Sequence, residues 1–486
     1  MSVWRFIAVC FALQYGILHA QDNMGIANSN YAPTNSIFLN PSSSADSKAF
    51  IDFNFFGNSL HINNNHVFVN QSLLGLSEAS GDEPIENFNR SSAPYKAFVD
   101  NQFHGPSFSI SFGRFGGGLF TNVRSVTSIN GISNHLANHA VNGFDFQDQI
   151  GEEFTTSNLR LGTLTWLEYG ANFSYILSQK GRDMYTVGGN LKYLNGVAGA
   201  GLNIQEWNYA VRNDSIIESY TFRGDFGIND LNTDEPDRSS LLGNGNGLGL
   251  DLGFNYKKML KSAQNYEPHT KSGCLLKDYQ YKFGLSILDL GRVRMRNSYY
   301  REFDNQDSLV WENYSNASAD NVEDIDQLIT NELSDSTSVV FSDEFKLRLP
   351  AAISLQFDYN LGKGFYANAT LIHGFTRNRR LGVERASSLS LTPRYARRQV
   401  EVALPLTLQD YERVRLGLAL RVYSVVLGTD NLGALIGGGD QYGADFYFSF
   451  KYTMFRPWYC KDQLKRAKAK GSKRGRRKGG VACPSW

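Results

Sequence analysis

A transmembrane antiparallel β-barrel of about fourteen strands is the fold this sequence predicts, and three observations point to it. Apolar residues alternate strictly with small or polar ones in segments of about 8–12 residues, the spacing of a strand with one greasy face. Aromatics make up 13% of the 486 residues, with 46 Gly and only 12 Pro, a balance that suits many strands and tight turns. Beyond the first twenty residues no run approaches the roughly 18 apolar residues of a membrane helix, so a helical membrane protein is excluded.

Met1–Ala20 reads as a secretory signal peptide. Arg5 ends its charged region, Phe6–Leu18 is apolar, and Leu18-His19-Ala20 precedes a cut at Gln21. Cys10 lies inside the apolar stretch, which argues against a lipoprotein. Residues 21–48 follow as an entry segment, 49–455 as the barrel and 456–486 as a tail. The tail carries 11 Lys and Arg against one Asp; with a net charge of +1 for the whole chain and only Arg5 in the leader, residues 21–455 sum to −10. Three cysteines remain in the mature chain, Cys274, Cys460 and Cys483. An oxidising compartment allows one disulfide and one free thiol among them, and the sequence does not choose the pair.

The clearest stripe is Leu248, Leu250, Leu252, Phe254 and Tyr256, with Gly247, Gly249, Asp251, Gly253 and Asn255 between them. Phe108–Phe112, Leu167–Leu177, Tyr281–Ile287, Ile353–Tyr359, Val400–Leu408, Val414–Val422 and Phe446–Met454 repeat the pattern. A soluble sandwich also alternates, but its strands average about 5–6 residues. The like-signed Arg413, Arg415 and Arg421 on one polar face suit a wide, wet interior better. Strands are expected near 50, 60, 107, 118, 166, 185, 201, 248, 280, 352, 364, 400, 413 and 445.

With both barrel ends in the periplasm, the odd-to-even connections Asp230–Asn246, Arg294–Leu349, Thr376–Tyr395 and Gly428–Tyr442 lie outside the cell. Asn360–Lys363 and Gln409–Glu412 are short periplasmic turns. Asn70–Gly105 and Arg124–Thr163 break this asymmetry and are long enough to fold inward as a plug or to sit beneath the barrel. Lys257–Lys277 falls on the periplasmic side, where Cys274 shares a compartment with Cys460 and Cys483. Acidic Ala319–Leu333 reads as a solvated cap in an outer loop.

GNGLGLDLGFNYK (Gly245–Lys257), YKFGLSILDLGRVRM (Tyr281–Met295), LPAAISLQFDYNLGKGFYANATL (Leu349–Leu371) and LGTDNL (Leu427–Leu432) together resemble an uncharacterised outer-membrane barrel family of Bacteroidota. That family is similar to the fatty-acid transporter FadL and the secretion-system barrel PorV. The resemblance spans roughly Asn28–Phe455. NSIFLNPSSSAD (Asn35–Asp46) is similar to the Asn-Pro-Ala element near the start of FadL-like barrels, with Ser42 in place of Ala; the resemblance implies a plug role for Asn40 and Pro41. The family has no established activity.

No catalytic constellation stands out, and no enzyme, cofactor or metal site is expected. His135 and His139 share a helical face in HLANH without a carboxylate at matching spacing, and His373 with Thr370 or Ser390 makes no convincing nucleophile site. GNGNG (Gly243–Gly247) precedes a strand rather than a helix, which excludes a phosphate cradle. Glu168, Lys192, Asp251, Lys282, Asp358, Glu401, Arg413, Arg415 and Arg421 take the polar parity. They either line an aqueous passage or pair across the lumen and close it, and glycines on the same face leave room for a plug. In the tail, Lys473, Arg474, Arg476, Arg477 and Lys478 suit an acidic periplasmic protein, an acidic wall polymer or lipid headgroups. Nucleic acid is excluded by compartment. Two functions follow: FadL-like passage of small hydrophobic compounds across the outer membrane, or a non-transporting barrel that anchors a periplasmic or secretion complex through its tail.

Overall fold

Alternating side chains make each strand two-faced, and fourteen such strands close into one antiparallel barrel in the computed structural model. It describes residues 23–68, 94–142, 149–213, 216–229, 243–263, 266–270, 273–305, 308–312, 340–375, 380–437 and 440–460. The wall runs β1 (Ile51–Asn64), β2 (Tyr95–His104 continued by Ser107–Phe112), β3 (Phe115–Ile132), β4 (Glu153–Lys180) and β5 (Asp183–Val211). It goes on through β6 (Gly245–Met259), β7 (Tyr279–Met295), β8 (Phe345–Arg348 continued by Ala352–Gly362), β9 (Phe365–Gly374) and β10 (Ser388–Ala396). It ends with β11 (Val400–Ala403 continued by Leu406–Gln409), β12 (Arg413–Leu416 continued by Leu418–Val422), β13 (Val425–Thr429) and β14 (Gly443–Met454). Each strand pairs with the next, and β14 returns to β1 with Met454 opposite Ile51 and Gly443 opposite Asn63. Closure leaves no unpaired edge, the condition for a sheet in hydrocarbon.

The start of β1 and the end of β14 meet at one end of the barrel, the terminal end. Turns at Gly113, Gly181 and Gly364, all with positive φ, fall there, as tight hairpin turns require. The opposite end carries the longer connections. There β4 and β5, 28 and 29 residues long, overshoot the wall. The far half of β5 pairs with Ile216–Asn229, which pairs in turn with Ser298–Asn305 and Leu309–Glu312 to raise one side of the rim.

Fourteen strands are expected and fourteen are present, but partly from other segments. The strands expected near 50 and 60 are one strand, as are those near 185 and 201. β10 and β13 were unforeseen: β10 contains Pro393, and β13 has only five residues. Splitting β1 reversed the parity of the early connections. The segments joining β1 to β2 and β3 to β4 therefore leave and re-enter the wall at the end opposite the termini, and Tyr95–His104 of Asn70–Gly105 and residues 124–132 and 153–163 of Arg124–Thr163 are themselves wall strand. Residues 70–93 and 143–148 lie outside the described residues, and the described remainder of the two segments does not enter or underlie the barrel. The turn Gln409–Glu412 also sits at the opposite end, where Asn63 donates to Asp410 and Arg413 donates to Asn64 O at 2.8 Å. Within Thr376–Tyr395 most of the second half is β10. Residues 319–333 lie outside the described residues.

Large apolar side chains cover the outside: Leu119, Phe173, Leu191, Leu248 and Val414 are each about 60% exposed or more. Leu250 and Leu418 share those outward faces. An uninterrupted greasy belt on a closed barrel belongs against lipid. Leu252, half-way along β6, tests this. Leu252→Arg is expected to cost about 2–4 kcal/mol of folding free energy, and Leu248→Arg, nearer the rim, about 1 kcal/mol or less, measured by denaturant unfolding in vesicles.

Candidate functional site: the barrel interior

Residues 23–50 lie inside the barrel. They form two single-turn helices, α1 (Met24–Ala27) and α2 (Pro33–Ser36), and a 3-10 turn, Pro41–Ser44. Asn40 caps that turn by accepting from Ser42 N at 3.1 Å, while its Nδ2 donates to Gln356 Oε1 at 2.9 Å and Phe254 O at 3.1 Å. Pro41 O accepts from Asn172, Ile37 O from Asn190 and Leu39 O from Ser286, at 3.0, 3.0 and 2.6 Å. On the other side Arg394 donates to Asn28 O at 2.8 Å, and Asp52 accepts from Thr34 Oγ1 at 2.6 Å and Lys451 at 3.2 Å. The inward glycines are the space this segment fills. A Cβ on Gly253 would sit 2.3 Å from Asn40 Oδ1, one on Gly188 2.7 Å from Pro41 O, and one on Gly116 2.3 Å from Ala45 N.

Beyond the segment, toward the opposite end, lies a layer of paired charge. Arg124 contacts Asp289 at 2.9 Å and Glu168 at 3.3 Å; Lys192 contacts Asp289 at 2.7 Å and Asp251 at 2.9 Å. Asp289 reaches the interior through a β-bulge. Leu288 and Asp289 together face the single Asp251 of β6, with Asp289 at φ 54°. Strict alternation would have put Asp289 against lipid. Nearer the terminal end, Asp358 pairs with Arg394 at 2.5 Å and Glu401 with Arg421 at 3.1 Å, and Glu401 also accepts from Ser29 at 2.6 Å. Lys282 faces Asp358 in register and lines, with Lys257, Asp46 and Asn40, a space of about 20 Å3, enough for one water. Arg415 donates to Asn63 at 2.6 Å, and Arg413 stacks over the Tyr442 ring at 3.3 Å.

Above the charges the interior turns apolar. Leu164, Trp166, Leu194, Val293, Met295 and Leu347 point inward and are fully buried. Leu381 and Val383, from the connection between β9 and β10, fold in over them. That connection is anchored by Glu384, which takes Arg160 at 2.5 Å and Asn130 at 2.8 Å, and by Arg385, 3.5 Å from Asp289.

All nine inward charges named from the sequence therefore point into the lumen, where Glu168, Lys192 and Asp251 form one network, Asp358 faces Lys282, and Glu401 holds Arg421. Arg413 and Arg415 stand apart near the opposite end. Sequence reasoning missed Asp289, Arg124, Arg394 and Asp52, and put Lys451 on the polar face of the last strand without naming it as a site residue. An aspartate at the next outward position after the series Tyr281–Ile287 was the available signal for the bulge, and Arg124 follows from the parity of β3. Arg394 was invisible without β10. His135 stacks on Phe154 and His139 meets Tyr209 OH at 3.2 Å; among the described residues no group of three His, Cys, Asp or Glu is placed to hold a metal. His373 points outward while Thr370 and Ser390 point inward, so they share no site.

At the terminal end Cys274, in the connection between β6 and β7, is bonded to Cys460 just beyond β14, with Cα atoms 5.4 Å apart. Cys483 and Lys473–Lys478 lie outside the described residues. The same connection holds the inner segment: His269 Nε2 contacts Ser47 O at 3.0 Å, and Lys48 donates to Asp278 at 2.8 Å and Tyr366 OH at 3.0 Å. Burial opposes the charge on Lys48, but Asp278 together with Tyr31 and Tyr366 more than offsets it and the ammonium pKa is raised. Burial depresses the His269 imidazole below its ordinary 6.5.

The chain belongs to a family of unknown function, DUF5723, whose model matches residues 41–430. No curated protein matches it. Among solved structures it is similar to the P. putida toluene transporter TodX (9% identity, TM-score 0.38, covering 86% of this chain and 94% of that one). It is also similar to a Pseudomonas aeruginosa FadL homologue (10%, 0.31, 90% and 98%), and to the translocator domain of the autotransporter NalP from Neisseria meningitidis (6%, 0.29, 82% and 86%). At these identities and scores the likeness says nothing about substrate.

Two outcomes are expected of this site. Asp289→Ala leaves Arg124 and Lys192 short of a buried partner and lowers stability by about 3–5 kcal/mol, whereas Asp304→Ala, at an exposed pair with Arg223, costs less than about 1 kcal/mol; denaturant unfolding in detergent measures both. A connection detached from the barrel binds a proton at His269 below pH 6.5, and the docked one resists it. Docking is therefore complete above that pH and weakens as the pH falls beneath it. Limited proteolysis of residues 260–278 should accelerate from about pH 7.5 to about pH 5, and His269→Gln should flatten the profile.

Proposed function

We propose that the protein is an outer-membrane barrel that passes small hydrophobic compounds, with residues 23–50 as the plug and Asn40 and Pro41 at its fixed centre. The observation that carries this reading is the apolar layer around Trp166. Barrels with an aqueous lumen keep their interior polar, yet this one turns six large apolar side chains inward and covers them with a connection that folds back from the rim. Such a surface suits a ligand that prefers oil to water. The charge layer and the plug lie between it and the terminal end, so passage requires the plug to shift. In this reading the terminal end and the basic tail face the periplasm.

A locked plug tests it. Ser44 and Ser174 hydroxyls lie 2.6 Å apart, so Ser44→Cys with Ser174→Cys can be oxidised to staple plug to wall. Cells carrying the oxidised pair should take up a labelled monoaromatic hydrocarbon or fatty acid no faster than cells lacking the protein. Reductant should restore uptake, while wild type responds to neither reagent. Equal uptake with and without the protein sinks transport altogether.

The second reading is an anchor for a periplasmic complex, and the Cys274–Cys460 bond favours it by fixing the base of the tail to the barrel. Identical periplasmic partners recovered with and without residues 461–486 would defeat it.

A further inference from the structure

The bulge at Asp289 has a second effect, on the outside of the barrel. It reverses the faces of the rest of β7, so Arg292 and Arg294, which unbroken alternation from Phe283 would turn inward, project outward and are exposed. Arg294 lies directly opposite Lys346 of β8 and beside Asn246 of β6, and exposed Arg296 follows just past the strand. Directly opposed side chains stand about 4.5–5.5 Å apart at Cβ, and like charges there repel. Among the described residues the carboxylates flanking these strand ends are Glu344, paired with Arg294, and exposed Asp343: two against these four cations. At the terminal end the arrangement differs, with Lys258 on Asp183 at 2.7 Å and Arg114 on Glu267 at 3.2 Å.

Height along the wall says what neutralises the excess. Leu290, two residues below Arg292, and Leu248 and Leu250 on β6 are the last members of the greasy belt there, 37, 65 and 38% exposed. Tyr193 stands beside Leu248 in the row of Arg292, and tyrosine favours the boundary between hydrocarbon and headgroup. Arg292, Arg294 and Lys346 therefore begin where acyl chains end and lipid phosphates lie. Guanidinium forks pair with phosphate oxygens in two parallel hydrogen bonds.

We infer that Arg292, Arg294, Arg296 and Lys346 form an outward-facing site for the phosphate of a lipid headgroup in the leaflet at the end opposite the termini, with the lipid's acyl chains lying on Leu248, Leu250 and Leu290. This rests on the barrel spanning a membrane and is independent of transport.

Native mass spectrometry of the purified full-length protein tests it, with a diphosphorylated glycolipid of the lipid A type, the same lipid dephosphorylated, and inorganic phosphate as probes. The phosphorylated lipid should stay bound. Arg292→Gln with Lys346→Gln should weaken retention at least about tenfold, and Arg292→Lys with wild-type Lys346 should recover most of it. Heat-modifiable gel migration confirms that each variant is a folded barrel. Equal binding of the dephosphorylated lipid, or undiminished binding by the double variant, overturns the proposal. So does displacement of the lipid by inorganic phosphate, which would mark a site for free anions. The oxidised Ser44→Cys, Ser174→Cys protein should bind lipid as wild type does, so failure of the transport reading leaves this result standing.

Discussion

A sheet in hydrocarbon has to pair every backbone donor and acceptor within itself, and the closure of β14 on β1 meets that demand. The rest of the molecule follows from it. Closure with period-two alternation forces one set of side chains into lipid and the other into a lumen. Because residues 23–50 occupy that lumen, the inward polar groups lose water and must find partners in protein. Asn172, Asn190 and Ser286 donate to backbone carbonyls of the inner segment, and Arg124, Lys192 and Arg394 find carboxylates on other strands. A salt-bridged interior is thus the cost of filling a wide barrel with a short polar segment.

How much of this was legible in the sequence depended on how far strict alternation held. Where it ran unbroken, as in Leu248–Tyr256 or Val414–Val422, both the strand and the inward identity of Asp251, Arg415 and Arg421 followed from counting by two. Where one residue broke it, the reading failed for a stated reason. Pro393 disguised β10, so Arg394 went unseen. The length of β5, which rises beyond the membrane, made one strand look like two. Asp289 could be placed only by the bulge, because hydrogen-bond register between strands leaves no mark in a local pattern. The partners of each charge were illegible as well: Arg124 and Asp289 are 165 residues apart, and only the closed sheet brings them together.

The Asp289 bulge couples the two surfaces of the wall. One extra residue carries a carboxylate inward to hold Arg124 and Lys192, and by the same half-turn sends Arg292 and Arg294 outward. Without it the interior network would lose its shared acceptor and gain two cations. The apolar layer would be displaced too, since Val293 and Met295 enter it only on the shifted face. A single local irregularity in an otherwise periodic strand therefore fixes the interior charge balance, the greasy layer above it and the basic patch outside.

The inner segment is built to be held without being rigid. Helices of one turn do not persist by themselves, because nucleation fixes several dihedrals for a single hydrogen bond. Residues 23–50 keep their shape only through contacts to the wall. Those contacts join hydrogen bonds, each worth about 0.5–1.5 kcal/mol net because water replaces the lost partner, to apolar packing: Met24, Ala27 and Leu39 lie with Ala352 and Ile372, and Ile26 and Ala32 with Ala419, Val426 and Tyr447. Wetting the lumen from the terminal end would replace the hydrogen bonds with water but would also expose those buried apolar side chains. The layer around Trp166 behaves differently. It is fully buried, makes few hydrogen bonds and gains nothing from water, so only an apolar occupant can open it without penalty. The two parts of the filled lumen therefore differ in what holds them: mixed polar and apolar contacts along the inner segment, and apolar packing around Trp166.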